Sequence, residues 1–386
     1  MFIINAKYLN QDFQLVQGDM EIDGGKIIRT GPSLSRKEED IAVDCQGYTI
    51  VPGFIDVHVH GCAGADAGDG TREALEDMAR FLLSHGVTSF CPTTATVASD
   101  TIKAALLAAK DLHDHPSEDG AKVAGVNMEG PFFSRERKGA QNEEFLLAPD
   151  FALFQEWYQL SGGLVRLIDL ATEQPGGEDF VKRAKELCTV SIAHTTASYE
   201  EAKNAFDWGV THVTHLFNAM NGLHHRKPGV VGAALEDQRV RAELICDGEH
   251  IHPAVLKIAF QLLGDRALIV SDSLRANGMP EGAAYEMGGQ TVHITGGKCT
   301  LPDGTIAGSV SNLHQEVKNL VSWGVPFEQA VKSASLIPAR AIGLDGELGS
   351  IAPGKAADLV MLDENLDIAS VWVSKGANTQ MVSFGQ

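Results

Sequence analysis

The sequence predicts an α/β protein, a closed (β/α)8 TIM-type barrel carrying a small composite β-sandwich domain made from both ends of the chain. Three observations predict it. Between Pro52 and about Arg340, eight short apolar runs alternate with helix-length amphipathic segments. Most of these runs stop at a polar group with chemical capability, and barrels collect their active-site residues at the C-terminal ends of their strands. Residues 1–51 and 344–386, in contrast, read as strands and turns with no helical period. An open doubly wound sheet would also place polar groups at strand ends. It usually carries a glycine-rich phosphate turn after the first strand, and this sequence has none.

Taken in order, residues 1–51 contain the runs FIIN, FQLV, MEID, KIIRTG and YTIV, broken by Gly-Gly and Gly-Pro turns. The barrel runs follow in residues 52–343. They are FIDV before His58, VTSF before Cys91, VAGVNM before Glu129, VRLIDL before Ala171, VSIA before His194, HVT before His215, AELI before Cys246 and ALIV before Ser271. Helices are expected over 71–85, 100–113, 151–160, 179–187, 200–208 and 253–263. Ser198 and Glu201 form an S-x-x-E capping box before the fifth of these, which ends near Gly209. Beyond the eighth run, residues 285–308 predict an inserted hairpin turning at Gly296 and Gly297, followed by a long helix from about Ser309. The tail returns to β character, with Ala357, Leu359, Val360, Leu362, Val371, Trp372 and Val373 as core positions.

Composition narrows the function. The chain has 386 residues, 44% hydrophobic and 21% charged, and no run approaches the ~18 apolar residues of a membrane span. Residues 1–5 are apolar but too few for a signal-peptide core, and no basic lead-in precedes them. A net charge of −20 argues against nucleic acid or an acidic membrane as partner. Six scattered cysteines, Cys45, Cys62, Cys91, Cys188, Cys246 and Cys299, form no CxxC and read as reduced residues of a cytoplasmic protein.

The chemistry concentrates at the strand ends. His194 and His215 close consecutive strands of a βαβ unit, so their imidazoles should converge on one point, as a catalytic metal site requires. His58 and His60, spaced i, i+2, leave one face of the first strand and are further candidate ligands. Glu129 ends a buried strand, where a carboxylate is costly unless paired or bound to metal; a salt bridge to Arg135 or Lys138 is the competing reading. Two histidines with one glutamate make a catalytic zinc-type set that leaves a position open for water. Asp272 closes the eighth strand and reads as a general base, against a plain N-cap. Arg226 and Lys227, after His224 and His225, form a cationic cluster that suits an anion such as phosphate, against a solvated loop. His250 suits a substrate hydroxyl or a structural role. His85, His113, His115 and His293 read as structural, and Cys91 and Cys246 as packing residues.

The motifs GFIDVHVHG, MEGPFFSRERKGAQN, AHT, THLFNAMNGLHHRKPGVVGA, CDGEHIHP, SDSLRANGMPEG and the tail G-x-I-x-P-G-K-x-A-D-L resemble the amidohydrolase superfamily. The closer resemblance, over nearly the whole chain, is to N-acetylglucosamine-6-phosphate deacetylases and their N-acetylgalactosamine-6-phosphate relatives. It implies that Glu129, His194 and His215 hold an essential divalent metal and that Asp272 is the catalytic acid/base. It implies Asn218 and Ala219 on the sugar phosphate, Arg226 on its phosphate, His250 on a ring hydroxyl, and Ala140 with Ile306, Ala307 and Gly308 lining the pocket. The arginine can come from the neighbouring subunit in such proteins, which implies a homodimer.

Two departures stand out. Many members carry histidine where this chain has Gln141, a group that helps polarise the acetyl carbonyl; an amide can donate a hydrogen bond but carries no titrating proton. Some members lack the HxH pair and bind one metal, whereas His58 and His60 leave room for a second, bridged by Glu129. The expected activity is metal-dependent hydrolysis of an N-acetylhexosamine 6-phosphate, gluco or galacto, to amino sugar phosphate and acetate, with one or two ions of zinc, iron, manganese or cobalt. A cyclic amidase of the dihydroorotase or hydantoinase type usually needs a carboxylated lysine after the fourth strand, and ATEQP offers none. A non-catalytic sugar-phosphate sensor would be favoured by loss of a ligand or of the aspartate, and neither is lost.

Overall fold

Strands β1 (Phe54–Val59), β2 (Val87–Thr94), β3 (Val126–Glu129), β4 (Val165–Leu170), β5 (Thr189–Ile192), β6 (His212–Val213), β7 (Arg241–Leu244) and β8 (Ala267–Ile269) each pair in parallel with the next. In the computed structural model, which describes residues 1–282, 284–287, 289–295, 297–376 and 378–383, β8 returns to β1 only at the rim. There Val59 and Ser273 form a parallel bridge, and the Asp272 N–H donates to the His58 carbonyl at 2.9 Å. The seam of the barrel therefore closes on the residues that flank His58, His60 and Asp272. A short ninth strand, Lys122–Val123, also pairs with β2.

Helices Arg72–Ser84, Ser99–Asp114, Phe151–Leu160, Gly177–Ala184, Tyr199–Trp208 and Pro253–Leu263 occupy the six expected positions with ends shifted by at most three residues. The capping box forms: the Ser198 hydroxyl accepts from the Glu201 N–H at 3.2 Å, and the Glu201 carboxylate accepts from the Ser198 N–H at 2.8 Å. A further helix, Gly229–Glu236, was not anticipated. Its sequence GVVGAALE is apolar with no clear polar face, so it offers no amphipathic period to read.

Two expectations around the insertion need correction. The described residues between 284 and 308 form a four-stranded antiparallel sheet (Ala284–Met287, Gln290–Thr295, Lys298–Thr300, Ile306–Gly308) rather than one hairpin. It packs on its own small core of Val292, Ile294 and Cys299 with Leu274 and Ala276; Gly296, at the expected turn, lies outside the described residues. The following helix begins at Leu313, not near Ser309, because Ser309 is held in the rim by its N–H on the Asp272 carbonyl at 2.8 Å. Asn312 then caps the helix, accepting from the Gln315 N–H at 2.9 Å.

The two ends of the chain join as expected. Phe2–Leu9, Leu15–Asp23, Lys26–Gly31, Ala42–Asp44 and Thr49–Pro52 combine with Leu359–Leu362, Ile368–Lys375 and Asn378–Ser383 in one continuous eight-stranded sheet. The junction is the antiparallel pairing of Leu359–Leu362 with Thr49–Pro52. FQLV and MEID run into a single strand, and Ile3, Met20, Ile27, Ile50, Leu359 and Trp372 form a core separate from that of the barrel. All six cysteines are free, Cys188 half-buried and the others buried. Among the described residues no helix is long and apolar enough to cross a membrane.

Arg266 shows how the barrel satisfies its helix ends. Its guanidinium is buried and donates to five carbonyls: Nη1 to Ala234, Asp237 and Val240 at 2.7, 3.0 and 2.9 Å, and Nη2 to Leu235 and Leu262 at 2.9 and 3.2 Å. One cation thus ties the ends of two helices to the turn entering β7. Arg266→Ala should lower the unfolding free energy by about 3 kcal/mol, read from the midpoint of urea unfolding. A midpoint within error of wild type would show that these carbonyls find equivalent partners without it.

Candidate metal centre and active site

Glu129 is the last residue of β3, and its carboxylate lies where β1, β5, β6 and β8 deliver their end groups. Oε1 is 3.1 Å from His194 Nε2 and 3.2 Å from His215 Nε2, and those two nitrogens are 3.2 Å apart. Oε2 is 3.2 Å from His60 Nε2. Asp272 Oδ1 stands 3.5 Å from the Nε2 atoms of both His58 and His60, and His58 Nε2 is 3.7 Å from Glu129 Oε1. Two ligand groups result, Glu129–His194–His215 and His58–His60–Asp272, each with its donor atoms within 4.8 Å of one another.

The donor set fits a divalent cation. The His194 Nδ1–H donates to the Arg137 carbonyl at 3.0 Å, and the His58 Nδ1–H donates to Glu243 at 2.9 Å, which leaves both Nε2 atoms for the centre. His58 Nε2 is fully buried and has no hydrogen-bond partner among the described residues, an orphan that a metal bond would satisfy. Electrostatics agree. Burial alone would raise the Glu129 carboxyl, but hydrogen bonds from His194, His215 and His60 outweigh it and hold the group well below its usual range. Burial would lower His60, yet Asp272 and Glu129 push it up to about 10; His58 is likewise held well above its ordinary value, mainly by Glu243 and Asp272. Carboxylates that retain protons on these rings this strongly would also retain a cation in the protons' place.

The backbone pays for this convergence. His194, His215 and Asp272 adopt φ of 45°, 31° and 45°, with Phe217 at 82° and Ala219 at 50°. Left-handed conformations at non-glycine residues cost of order 1–3 kcal/mol each and cluster at functional sites. They also explain why β5, β6 and β8 stop short of the apolar runs: the chain turns out of the ladder to aim these side chains at the centre.

A cavity of about 280 Å³ opens over the cluster. His60, Glu129, Ala140, Gln141, His194, His215, Asn218, Ala219, His250, Asp272, Ile306, Ala307 and Gly308 all line it. Of the expected site residues, His58 lies buried behind this wall and Arg226 lies outside it. Gln141 is locked: its Oε1 accepts from the Thr96 N–H at 2.7 Å, so its NH2 group is turned to donate to Glu129. The His250 Nδ1–H donates to Asp247 at 2.7 Å. The Asn218 amide donates to the His215 carbonyl at 3.2 Å. At Gly308 a Cβ would come within 3.0 Å of the Asp272 carbonyl oxygen, so glycine allows the insertion to close against the chain just beyond β8. Arg226 is exposed on a turn bridged by His224 and Lys227, its Nη1 2.7 Å from His225 Nε2.

The competing readings of Glu129 are not realised. Arg135 pairs with Glu143, and the Lys138 ammonium donates to the carbonyls of Gly139 and Gln141 at 3.4 Å. His85 and His113 engage backbone carbonyls of Phe81 and Val123, and His115 pairs with Asp111, as structural residues do. Sequence reasoning missed the polar layer beneath the centre: Asp56, Asp169, His212 and Glu243 are all buried within barrel strands. The available signal was a charged residue at an interior position of an apolar strand, in FIDV, VRLIDL and AELI.

Residues 49–383 match the amidohydrolase family. N-acetylgalactosamine-6-phosphate deacetylase of Escherichia coli O157:H7 is 36% identical over 372 residues, covering 95% of this chain and 96% of that protein. N-acetylglucosamine-6-phosphate deacetylase of Vibrio furnissii is 37% identical over 374 residues, covering 96% and 92%. The crystal structure of N-acetylglucosamine-6-phosphate deacetylase from Pasteurella multocida superposes with a TM-score of 0.92 at 28% identity, covering 99% of each chain. The chain therefore belongs to the amidohydrolase family and, within it, to the N-acetylglucosamine-6-phosphate deacetylases.

Proposed function

We propose that the protein hydrolyses the acetamide of an N-acetylhexosamine 6-phosphate, of gluco or galacto configuration, to the amino sugar phosphate and acetate. The observation that carries this reading is Asp272, facing a buried His/Glu cluster on one side and the cavity on the other. Glu129, His194 and His215 would hold one divalent ion and His58, His60 and Asp272 a second; imidazole and carboxylate donors suit zinc, iron, manganese or cobalt. Such an ion, when bound, supplies Lewis acidity and a water of lowered pKa.

The residues do the rest. Burial would raise the Asp272 carboxyl, but His58 and His60 outweigh it and hold it below its usual range, so it is present as a base that accepts the water's proton. It then returns that proton to the departing nitrogen. Gln141, pinned by Thr96, has a second amide hydrogen to offer the acetyl oxygen as it gains charge. His250, held by Asp247 through Nδ1, keeps Nε2 for a ring hydroxyl. Asn218 and Ala219, on the turn after His215, take the sugar phosphate, and Ala140 with Ile306, Ala307 and Gly308 walls the pocket.

Arg226 binds the phosphate from a second copy of the chain. Its exposure outside its own cavity, close to the exposed Leu223 that precedes the turn, supports a homodimer. Unpaired cysteines and the acidic surface suit a cytoplasmic enzyme with no nucleic-acid or membrane partner. The cyclic-amidase reading is not favoured, since β4 runs into Leu170 and Ala171 with no lysine to carboxylate.

Asp272→Asn should keep the fold and the ion held by Glu129, His194 and His215 while kcat falls by about 10²–10⁴-fold; activity within tenfold of wild type would remove Asp272 from the proton path. Acetate release should be seen with the two epimeric N-acetylhexosamine 6-phosphates. The unphosphorylated sugar should lose at least about 100-fold in kcat/KM, a preference that Arg226→Ala shrinks. Equal kcat/KM with and without phosphate would contradict the assigned substrate class.

A further inference from the structure

Glu243 lies within β7, is fully buried, and has no surface in the cavity. An ionised carboxylate at such depth persists only if its lone pairs are engaged. Three donors engage them. Oε2 accepts from the His58 Nδ1–H at 2.9 Å and from the His215 backbone N–H at 3.1 Å, and Oε1 accepts from the His212 Nε2–H at 3.0 Å. The Glu243 backbone carbonyl also accepts from the Leu216 N–H at 2.8 Å, so β7 grips the turn after β6 through main chain and side chain together.

These contacts reach both ligand groups at once. His58 belongs to the group with His60 and Asp272, and His215 to the group with Glu129 and His194. A neutral imidazole carries one proton, and a proton on His58 Nε2 would cancel that atom as a ligand. The hydrogen bond to Glu243 keeps the proton on Nδ1. His212, itself fully buried, holds the second carboxylate oxygen and stops the group from rotating away.

We propose that Glu243 is the positioning residue of the metal centre: it fixes the His58 tautomer and ring plane, and through the His215 main chain it sets the spacing between the two ligand groups. The proposal rests on the reading of His58 as a ligand, given above.

The test compares the full-length wild type with Glu243→Gln, His58→Asn and His212→Gln, each measured for zinc stoichiometry and for zinc affinity by competition with a chromogenic chelator. Thermal unfolding of each apoprotein is followed in parallel. A glutamine side chain in place of Glu243 has a single oxygen, so its NH2 must face one of the two histidines and favours the wrong His58 tautomer or frees His212. Glu243→Gln should weaken the second zinc by about 10–100-fold, with apoprotein Tm near wild type, kcat reduced and KM for the sugar phosphate unchanged. His212→Gln, which leaves the carboxylate in place but unbraced, should weaken it less and in the same direction; it decides the matter if Glu243→Gln does not fold. If His58→Asn leaves stoichiometry and affinity unchanged, His58 is not a ligand and the underlying reading falls. If His58→Asn removes the second zinc while Glu243→Gln, or His212→Gln in its place, binds it as wild type does, the positioning role alone is overturned.

Discussion

The structure depends on one electrostatic constraint: a carboxylate, Glu129, is buried at the top of a barrel within 3.2 Å of three imidazole nitrogens. Leaving such a charge unpaired would cost several kcal/mol. Its surroundings are built to supply positive charge. β5, β6 and β8 leave their ladders through left-handed residues so that His194, His215 and Asp272 face it, and the barrel seam closes beside His58 and His60. Below that layer, Glu243 accepts from the His58 ring and the His215 backbone and is itself held by His212, with neither residue lining the cavity. Fold and chemistry share the same hydrogen bonds here. The Asp272 N–H that joins β8 to β1 belongs to the residue proposed as the base, and the Asp272 carbonyl anchors the inserted sheet through Ser309.

The cavity beside the cluster is made differently. Its walls come from loops and from the insertion, and at Gly308 the absence of a side chain lets the insertion close against the Asp272 carbonyl. A rigid centre at strand ends with a separately built pocket allows one hydrolytic chemistry to serve different acylated amines. Gln141 sits at the junction. Pinned by Thr96 and directed at Glu129, it offers amide hydrogens to the centre but no titrating proton.

Much of this was legible in the sequence, because the barrel strands are apolar and end abruptly in His, Glu or Asp. That pattern located Glu129, His194, His215 and Asp272, and the i, i+2 pair His58 and His60, without any geometry. What stayed hidden has physical reasons. Helix Gly229–Glu236 is too uniformly apolar to show a period. The late start of helix Leu313–Ser322 follows from the tether of Ser309 to Asp272, a contact distant in sequence that no local signal reports. Glu243 and His212 sit in short strands beside apolar neighbours, Ala242 and Leu244 for Glu243 and Val213 for His212, and their hydrogen bonds join β6, β7 and β1 across the barrel. The charge of Arg226 makes it a candidate anion site in the sequence, but its position outside the cavity depends on the path of the turn that carries it, which the sequence does not report.

The most direct test is titration of metal into chelator-stripped protein while acetate release from N-acetylglucosamine 6-phosphate is followed. Activity should be absent in the stripped protein, rise in proportion to zinc, iron, manganese or cobalt added, and saturate at one or two equivalents per chain, the capacity of the two ligand groups. Undiminished acetate release from protein that holds less than about a tenth of an equivalent of metal would contradict a cation-based centre at Glu129.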